Sequence, residues 1–244
     1  MSVHWYFQYV PIMVMLLTAG EIYASALETA VSQGNLEEVK RLLDEGADIN
    51  WKPVNGFSAL HEAVYSRKVD IAEYLIQRGA DVNTKGTYGV TPLHMVKDKA
   101  IAELLLSKGA DVNAWAKSRG TPLHSAVSHG SKAIANLLIL HDATVGARDV
   151  YGSTPLHYAA GKDHEDLAQL LISAGAEVNA TNNYGFTPVH WASGNGHSGM
   201  VVLLLNSGAD ATARSEDGIT PLQKANENGH QKIVELLRRR GVKE

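Results

Sequence analysis

A tetrapeptide returns along this chain at a nearly fixed interval, and that return leaves room for few folds. Thr-Pro-Leu-His occupies Thr91 to His94, Thr121 to His124 and Thr154 to His157. Variants stand at Ser58 to His61, Thr187 to His190 and Thr220 to Gln223, with a register-matched Ser25 to Glu28 ahead of them. Successive starts lie 33, 33, 30, 33, 33 and 33 residues apart, which is the signature of a stacked repeat array. The motif starts a helix for local reasons. A Thr or Ser oxygen accepts from free amides of the next turn, and Pro at the first helical position gives up an amide that has no partner anyway. Five of the seven prolines, Pro92, Pro122, Pro155, Pro188 and Pro221, share that one phase.

Laid over one another, the units each predict two helices and an exit turn. In the first, Ala26 to Gln33 and Asn35 to Asp44 read as helices and Gly46 to Asn50 as the exit. Leu60, Leu93, Leu123, Leu156, Val189 and Leu222 then share one core phase, and the second helices carry apolar pairs such as Leu75/Ile76 and Leu138/Ile139. Two short helices cannot bury such faces alone, so the units must stack. Gly46, Gly79, Gly109, Gly175, Gly208 and Gly241 end the second helices, where a left-handed residue closes the helix and Gly fits with least strain. Asp142 takes that place in the fourth unit and predicts a strained or reshaped exit. Gly56, Gly89, Gly152, Gly185 and Gly218 mark a tight turn before each motif; Arg119 breaks this pattern, with Gly120 beside it to take over.

Composition limits the partners. The chain has 244 residues, 45% hydrophobic and 20% charged, enough for a packed core. A formal charge of -4 carries no basic footprint of the kind that follows phosphate backbones, so nucleic acid is not expected. With no cysteine, neither a disulfide framework nor a thiolate zinc site can form.

Residues 1–22 stand apart as a hydrophobic leader. Tyr9 to Leu17 is apolar except at Pro11, and small residues follow at Thr18, Ala19 and Gly20. An apolar core this short fits a secretory signal better than a membrane span, which predicts a secreted or periplasmic protein. No Lys or Arg precedes Lys40 to supply the usual positive start. An uncleaved membrane anchor, an apolar extension packed on the first unit, and a wrongly chosen start codon are the other readings of these residues. Without export the protein is cytoplasmic.

The strings Thr154-Pro-Leu-His-Tyr-Ala-Ala, Gly196-His197 and Gly109-Ala-Asp-Val-Asn113, recurring in order and in phase, resemble the ankyrin repeat over about residues 23–244. The resemblance implies an all-α solenoid of helix-turn-helix units with β-hairpin loops, in seven units: 23–50, 51–83, 84–113, 114–146, 147–179, 180–212 and 213–244, the first and last as caps. It implies that His61, His94, His124, His157 and His190 tie the hairpin of one unit to the helix beside it. His164, His197 and His230 share a second phase, and only His4, His129 and His141 are left over. It also implies a non-enzymatic module, a monomer without cofactor, that binds a protein partner on its concave side through hairpin tips and the exposed ends of first helices. Those places hold Phe57, Tyr65, Tyr88, Trp115, Lys117, Arg148, Tyr151, Tyr184, Phe186 and Trp191, with Lys52, Lys85, His129, Asn195, Arg214 and Glu216 beside them. Tyr88, Tyr151 and Tyr184 fall at one identical phase, three residues before their Thr, and aromatic rows of this kind suit protein interfaces. The cations on that side hint at an acidic partner. The competing classes are a membrane-anchored structural or scaffold protein and a hydrolase using His129 and His141.

Other motifs fail on context. Gly194-Asn-Gly-His-Ser-Gly199 satisfies a dinucleotide fingerprint, yet no strand leads into it. His61-Glu-Ala-Val-Tyr65 lacks the second His of a zinc-protease helix. Asn179-Ala-Thr181 is a glycosylation acceptor in a tight exit. In the 30-residue unit the three missing residues fall between about Met95 and Ala100, which predicts a shortened first helix and either a tolerated deletion or a notch on the concave side.

Overall fold

The computed structural model describes residues 19–242 except Ser118, so the expected leader lies outside the described residues up to Thr18. Fourteen α-helices form seven antiparallel pairs among them. The pairs are α1 (Ala19–Gln33) with α2 (Leu36–Asp44), α3 (Ala59–Tyr65) with α4 (Val69–Gln77), α5 (Pro92–Met95) with α6 (Lys99–Ser107), and α7 (Pro122–Ser128) with α8 (Lys132–Leu140). Then come α9 (Pro155–Gly161) with α10 (Glu165–Ser173), α11 (Pro188–Gly194) with α12 (Ser198–Asn206), and α13 (Pro221–Glu227) with α14 (Gln231–Arg239). Each helix packs on its pair mate and on the matching helices of the units before and after it. First helices approach one another more closely than second helices do. The stack therefore curves with its first helices on the inner side. Leu60, Leu93, Leu123, Leu156, Val189 and Leu222 are all buried. Of the apolar pairs beyond the first unit, the leading residue (Leu75, Leu105, Leu138, Leu171, Leu204) is core and the second only half-buried.

Helix α1 is longer than the repeat phase predicts. It spans 15 residues, begins at Ala19 and runs across the expected leader boundary. Ala19 to Tyr23 holds no proline, its one weak helix former, Gly20, lies in the first turn, and Ala24, Leu27, Ala30 and Val31 are buried along it.

The motif closes a reciprocal box at each helix start. In α3, α5, α7, α9 and α11 the third helical residue is His, whose side chain reaches back to the cap while its own amide meets the cap side chain. The cap N–H donates to Nδ1 at 3.1 Å in each: Ser58 to His61, Thr91 to His94, Thr121 to His124, Thr154 to His157 and Thr187 to His190. Nδ1 is thus an acceptor, which places the ring proton on Nε2. That Nε2–H donates to the next unit, from His61 to the Val90 carbonyl (3.0 Å), His94 to Gly120 (3.1 Å), His124 to Ser153 (3.0 Å), His157 to Phe186 (2.9 Å) and His190 to Ile219 (3.0 Å). The second histidine phase reaches the other way. His197 and His230 donate to the Gly161 and Gly194 carbonyls of the preceding unit, at 3.1 and 3.0 Å.

A third ladder runs through the exit turns. Asn83 accepts from the Asp111 amide (2.7 Å) and donates to the Gly109 carbonyl (2.9 Å). Asn113 does the same with Thr144 and Asp142, and Asn179 with Asp210 and Gly208. Gly146 interrupts the ladder, because it has no side chain to reach the fifth unit's exit. A Cβ at Gly146 meets nothing within 4 Å. The Gly146→Asn variant is therefore expected to extend the ladder and raise stability by about 1 kcal/mol, read as a higher urea midpoint with unchanged slope.

The fourth unit's exit is not reshaped. Asp142 takes the left-handed conformation (φ 64°), its amide bonds the Ile139 carbonyl at 3.1 Å, and Ala143 bonds Leu138 at 3.0 Å. Gly79 and Ala80 make the same two bonds to Ile76 and Leu75. Asp tolerates this region better than most residues, so the turn keeps its shape. Gly120 does take over the turn at Arg119, with φ 67° and reciprocal bonds to Ala116 at 2.8 Å. Among the described residues the hairpin loops hold one isolated bridge, Ala116 with Gly120, and no strand. The short first helix of the third unit is as expected: α5 has 4 residues where its counterparts have 7. Val96 leaves it in extended conformation, and Asp98 caps α6 by accepting from Ala100 and Ile101.

Candidate interaction surface

The hairpin tips combine a fixed main chain with free side chains. Lys117 N–H donates to the Tyr88 carbonyl (2.8 Å), Asn183 to Tyr151 (2.9 Å) and Glu216 to Tyr184 (3.0 Å). The backbone of each tyrosine is thus tied to the next tip. Their side chains stand out, 66%, 56% and 54% exposed for Tyr88, Tyr151 and Tyr184, with Trp115 at 48% and Tyr65 at 52%. Tyr88 also sits at φ 60°. That conformation costs a bulky residue energy that Gly or Asn escapes, a pattern found where a side chain is kept for what it does.

The remaining candidates divide by contact. Lys117 is exposed. Arg148 donates to the Gly152 and Thr181 carbonyls (3.2 and 2.6 Å), Trp115 Nε1 to the Arg148 carbonyl (3.4 Å), and Lys52 to the Lys85 carbonyl (3.1 Å). These side chains, at the second position of their units, each clasp the second position of the next. Phe57, Phe186 and Trp191 are half-buried in the seams. Phe57 lies edge-on to His61, with ring centroids 5.3 Å apart, and over Gly86, where a Cβ would come within 2.6 Å of the ring. Phe186 meets His190 at 5.5 Å. Trp191 meets His157 at 5.6 Å and Tyr158 at 5.8 Å, seated on Gly161, whose added Cβ would lie 2.8 Å from the indole. Phe186 and Trp191 still form one wall of a groove of about 290 Å³ completed by His190, Gly194, Asn195, Lys224 and Asn228.

At the short unit, the Lys97 ammonium lies 4.2 Å from the centre of the Tyr65 ring. Met95 lines a second groove of about 280 Å³ with Glu28, Phe57, His61 and Glu62. Sequence reasoning passed over Val54 and Val150, both exposed at hairpin tips. Their shared position, one before the tyrosine phase, was the available signal.

Charge is unevenly placed. The hairpins of units two to five, residues 51–57, 84–90, 114–120 and 147–153, hold Lys52, Lys85, Lys117, Arg119 and Arg148 but one carboxylate, Asp149. All five cations are exposed, and among the described residues none has a carboxylate within 4 Å. Asp149 is buried and occupied: it accepts from Tyr158 Oη (2.6 Å) and from the Tyr151 and Ser153 amides (both 2.9 Å). Burial and that carboxylate hold the Tyr158 hydroxyl well above the usual phenol range.

The five motif histidines are buried, and desolvation holds each below its ordinary value, to about 4 for His61, His94 and His157. A neutral ring with both nitrogens engaged is a clasp. Of the leftover histidines, His129 bonds the Ser125 carbonyl at 2.7 Å and His141 caps α8. Among the described residues no three His, Asp or Glu side chains gather as a metal site, and no helix is long and apolar enough to cross a membrane. The Asn179 side-chain amide is already taken up by the exit ladder.

Comparison with known proteins is consistent with this geometry. A family model described as ankyrin repeats (3 copies) matches residues 9–86, 27–116, 94–182, 137–215 and 181–243. The human ASB11 ankyrin repeat domain superposes with a TM-score of 0.78 at 27% identity, over 86% of this chain and 96% of that one. The ankyrin repeat domain of Bcl-3, a member of the IkappaB protein family, gives 0.71 at 30% identity, over 82% and 93%. A search of curated protein sequences gave no match.

Proposed function

Because the chain belongs to the ankyrin-repeat family, whose domains are in general protein-protein interaction modules, we propose that it binds a protein partner through the inner face formed by its hairpin tips and first helices. The observation that carries this reading is the tip ladder, which fixes the backbone at Tyr88, Tyr151 and Tyr184 while leaving their rings exposed. A surface prearranged in this way loses little conformational freedom on binding, so more of the contact energy shows as affinity. Tyr65, Trp115 and Lys117 extend the face, and Phe57, Phe186, Trp191 and Arg148 serve it from the seams. The role is non-catalytic, since the polar side chains best placed for chemistry are spent on ladders between units.

Export belongs to the same proposal. A cut before Ala19 leaves α1 whole, whereas one after Ala26 removes its first eight residues and the buried Ala24. A cut after Gly20 or Ala24 keeps the repeat phase of the first unit, and N-terminal sequencing of the mature chain reads the position directly.

The binding reading is tested by affinity capture from the native source, using the intact chain beside a variant with Tyr88, Tyr151 and Tyr184 all replaced by Ala. The ladder uses main-chain atoms, so both proteins are expected to give the same circular dichroism. A protein retained by the first and at least about tenfold depleted on the second supports the face. Equal retention by both removes it.

A further inference from the structure

The five unpaired cations on the hairpins of units two to five lie on a chain whose net charge is -4. Overall composition hides this strip, because the compensating acids sit elsewhere, as with Glu37 and Glu38 on α2 and Glu165 and Asp166 on α10. Between the cations stand exposed Val54, Tyr88, Trp115, Val150 and Tyr151. We propose that this strip docks an extended, acidic segment of the partner protein, with a carboxylate at about every third residue and apolar residues between.

The spacing follows from packing. Neighbouring helices in a stack lie about 8–10 Å apart, and an extended chain advances about 3.3 Å per residue. One repeat unit therefore spans about three partner residues, and each of units two to five offers at least one cation. Two of those cations are already held in place: Lys52 lies against the Lys85 carbonyl, and Arg148 against Thr181. Carboxylates meeting prearranged charges bind with less ordering cost. A nucleic acid fits less well, because its charges come at about 3.4 Å per strand while the strip offers roughly one cation per unit, and the sixth unit's hairpin offers none.

The inference rests on the proposed interaction face but stands or falls separately. The test uses fluorescein-labelled peptides of about 15 residues, with Glu at every third position and Leu or Ser between, measured by anisotropy at about 50 mM salt. A peptide with the same Glu residues contiguous, one with Gln for Glu, and a single-stranded oligothymidine of equal length serve as competitors. The protein is used intact and as the Lys85→Glu/Lys117→Glu double variant, whose exposed side chains leave helicity unchanged. The every-third peptide is expected to bind the intact protein at least about tenfold more tightly than the other peptides do, to lose about tenfold on the double variant, and to weaken as salt rises. Indifference to charge reversal, equal binding of the Gln or contiguous peptide, no binding of the acidic peptide, or tighter binding of the oligothymidine overturns it. If the peptides fail while a partner is still lost from the tyrosine variant, the face stands and its acidic ligand does not.

Discussion

Lowering the pH from 7 to 4 is expected to unfold this protein earlier than its carboxylates alone would predict. In the folded array the motif histidines are neutral, because burial disfavours the charged ring and Nδ1 already accepts the cap amide. In the unfolded chain each has a pKa near 6.5. Above about pH 6.5 both states are neutral and the full stability is present. Between 6.5 and about 4 the unfolded state takes up protons that the folded state refuses, so stability is lost as pH falls, and the loss levels off once the folded rings charge near 4. For His61, His94 and His157, with folded values of about 4, the effect is on the order of 3 kcal/mol each. Burial lowers His124 and His190 in the same direction. Against a typical total of about 5–15 kcal/mol, that is enough to unfold the array. Urea midpoints taken from pH 7 to 4.5 should fall steeply below pH 6.5, and a flat profile down to pH 5 would refute the account. The last unit supplies the control. Gln223 makes the same box without a titratable group, accepting from the Thr220 amide at 2.9 Å. A His157→Gln variant should lose stability at pH 7 yet show a shallower pH slope.

Gly185→Ala is expected to be strongly destabilising for a single added methyl. Gly185 has φ 74°, and a Cβ there would lie 2.6 Å from the Glu216 amide nitrogen and 3.0 Å from Ser215. Neither neighbour is a flexible side chain that can swing away. The amide in question is the donor to the Tyr184 carbonyl, so the added methyl pushes apart two tips that the ladder holds together. Left-handed strain contributes about 1–2 kcal/mol, and the displaced bond and backbone bring the total to about 3 kcal/mol. Gly175→Ala isolates the first contribution, because Gly175 has φ 90° and nothing within 4 Å of its added Cβ. Urea melts of the two variants should differ by about 1–2 kcal/mol, and exchange of the Glu216 amide should accelerate in the first alone. Equal destabilisation would mean that the tip ladder contributes nothing.

Much of this was legible in the sequence because repetition turns single ambiguous residues into a phase. One Thr-Pro-Leu-His is a helix start, and three of them with three close variants in register are an array. The buried leucines, the box histidines and the shortened α5 all followed from position within the unit. So did the takeover of the turn by Gly120. Where reasoning treated a residue alone it did less well. At Asp142 the expected alternatives were a strained or a reshaped exit, and the residue takes the left-handed strain while hydrogen bonds to Ile139 and Leu138 keep the shape of the turn. Helix α1 overran its expected start because a repeat phase marks where a unit matches its neighbours and is silent about how far a terminal helix continues.

Composition and spacing alone determined that the chain stacks seven two-helix units and that its tyrosines share one hairpin phase. Local chemistry sufficed for this, since caps, prolines and apolar periods act within a few residues. Tertiary structure alone decided which side of each residue faces a neighbour. It seated Phe57, Phe186 and Trp191 in the seams, turned Lys52, Trp115 and Arg148 toward the next unit's carbonyls, and left Tyr88, Tyr151, Tyr184, Lys85, Lys117 and Arg119 facing outward. The physical reason is that each of these fates depends on atoms about one repeat away along the chain, such as Gly86 beneath Phe57 and Thr181 above Arg148.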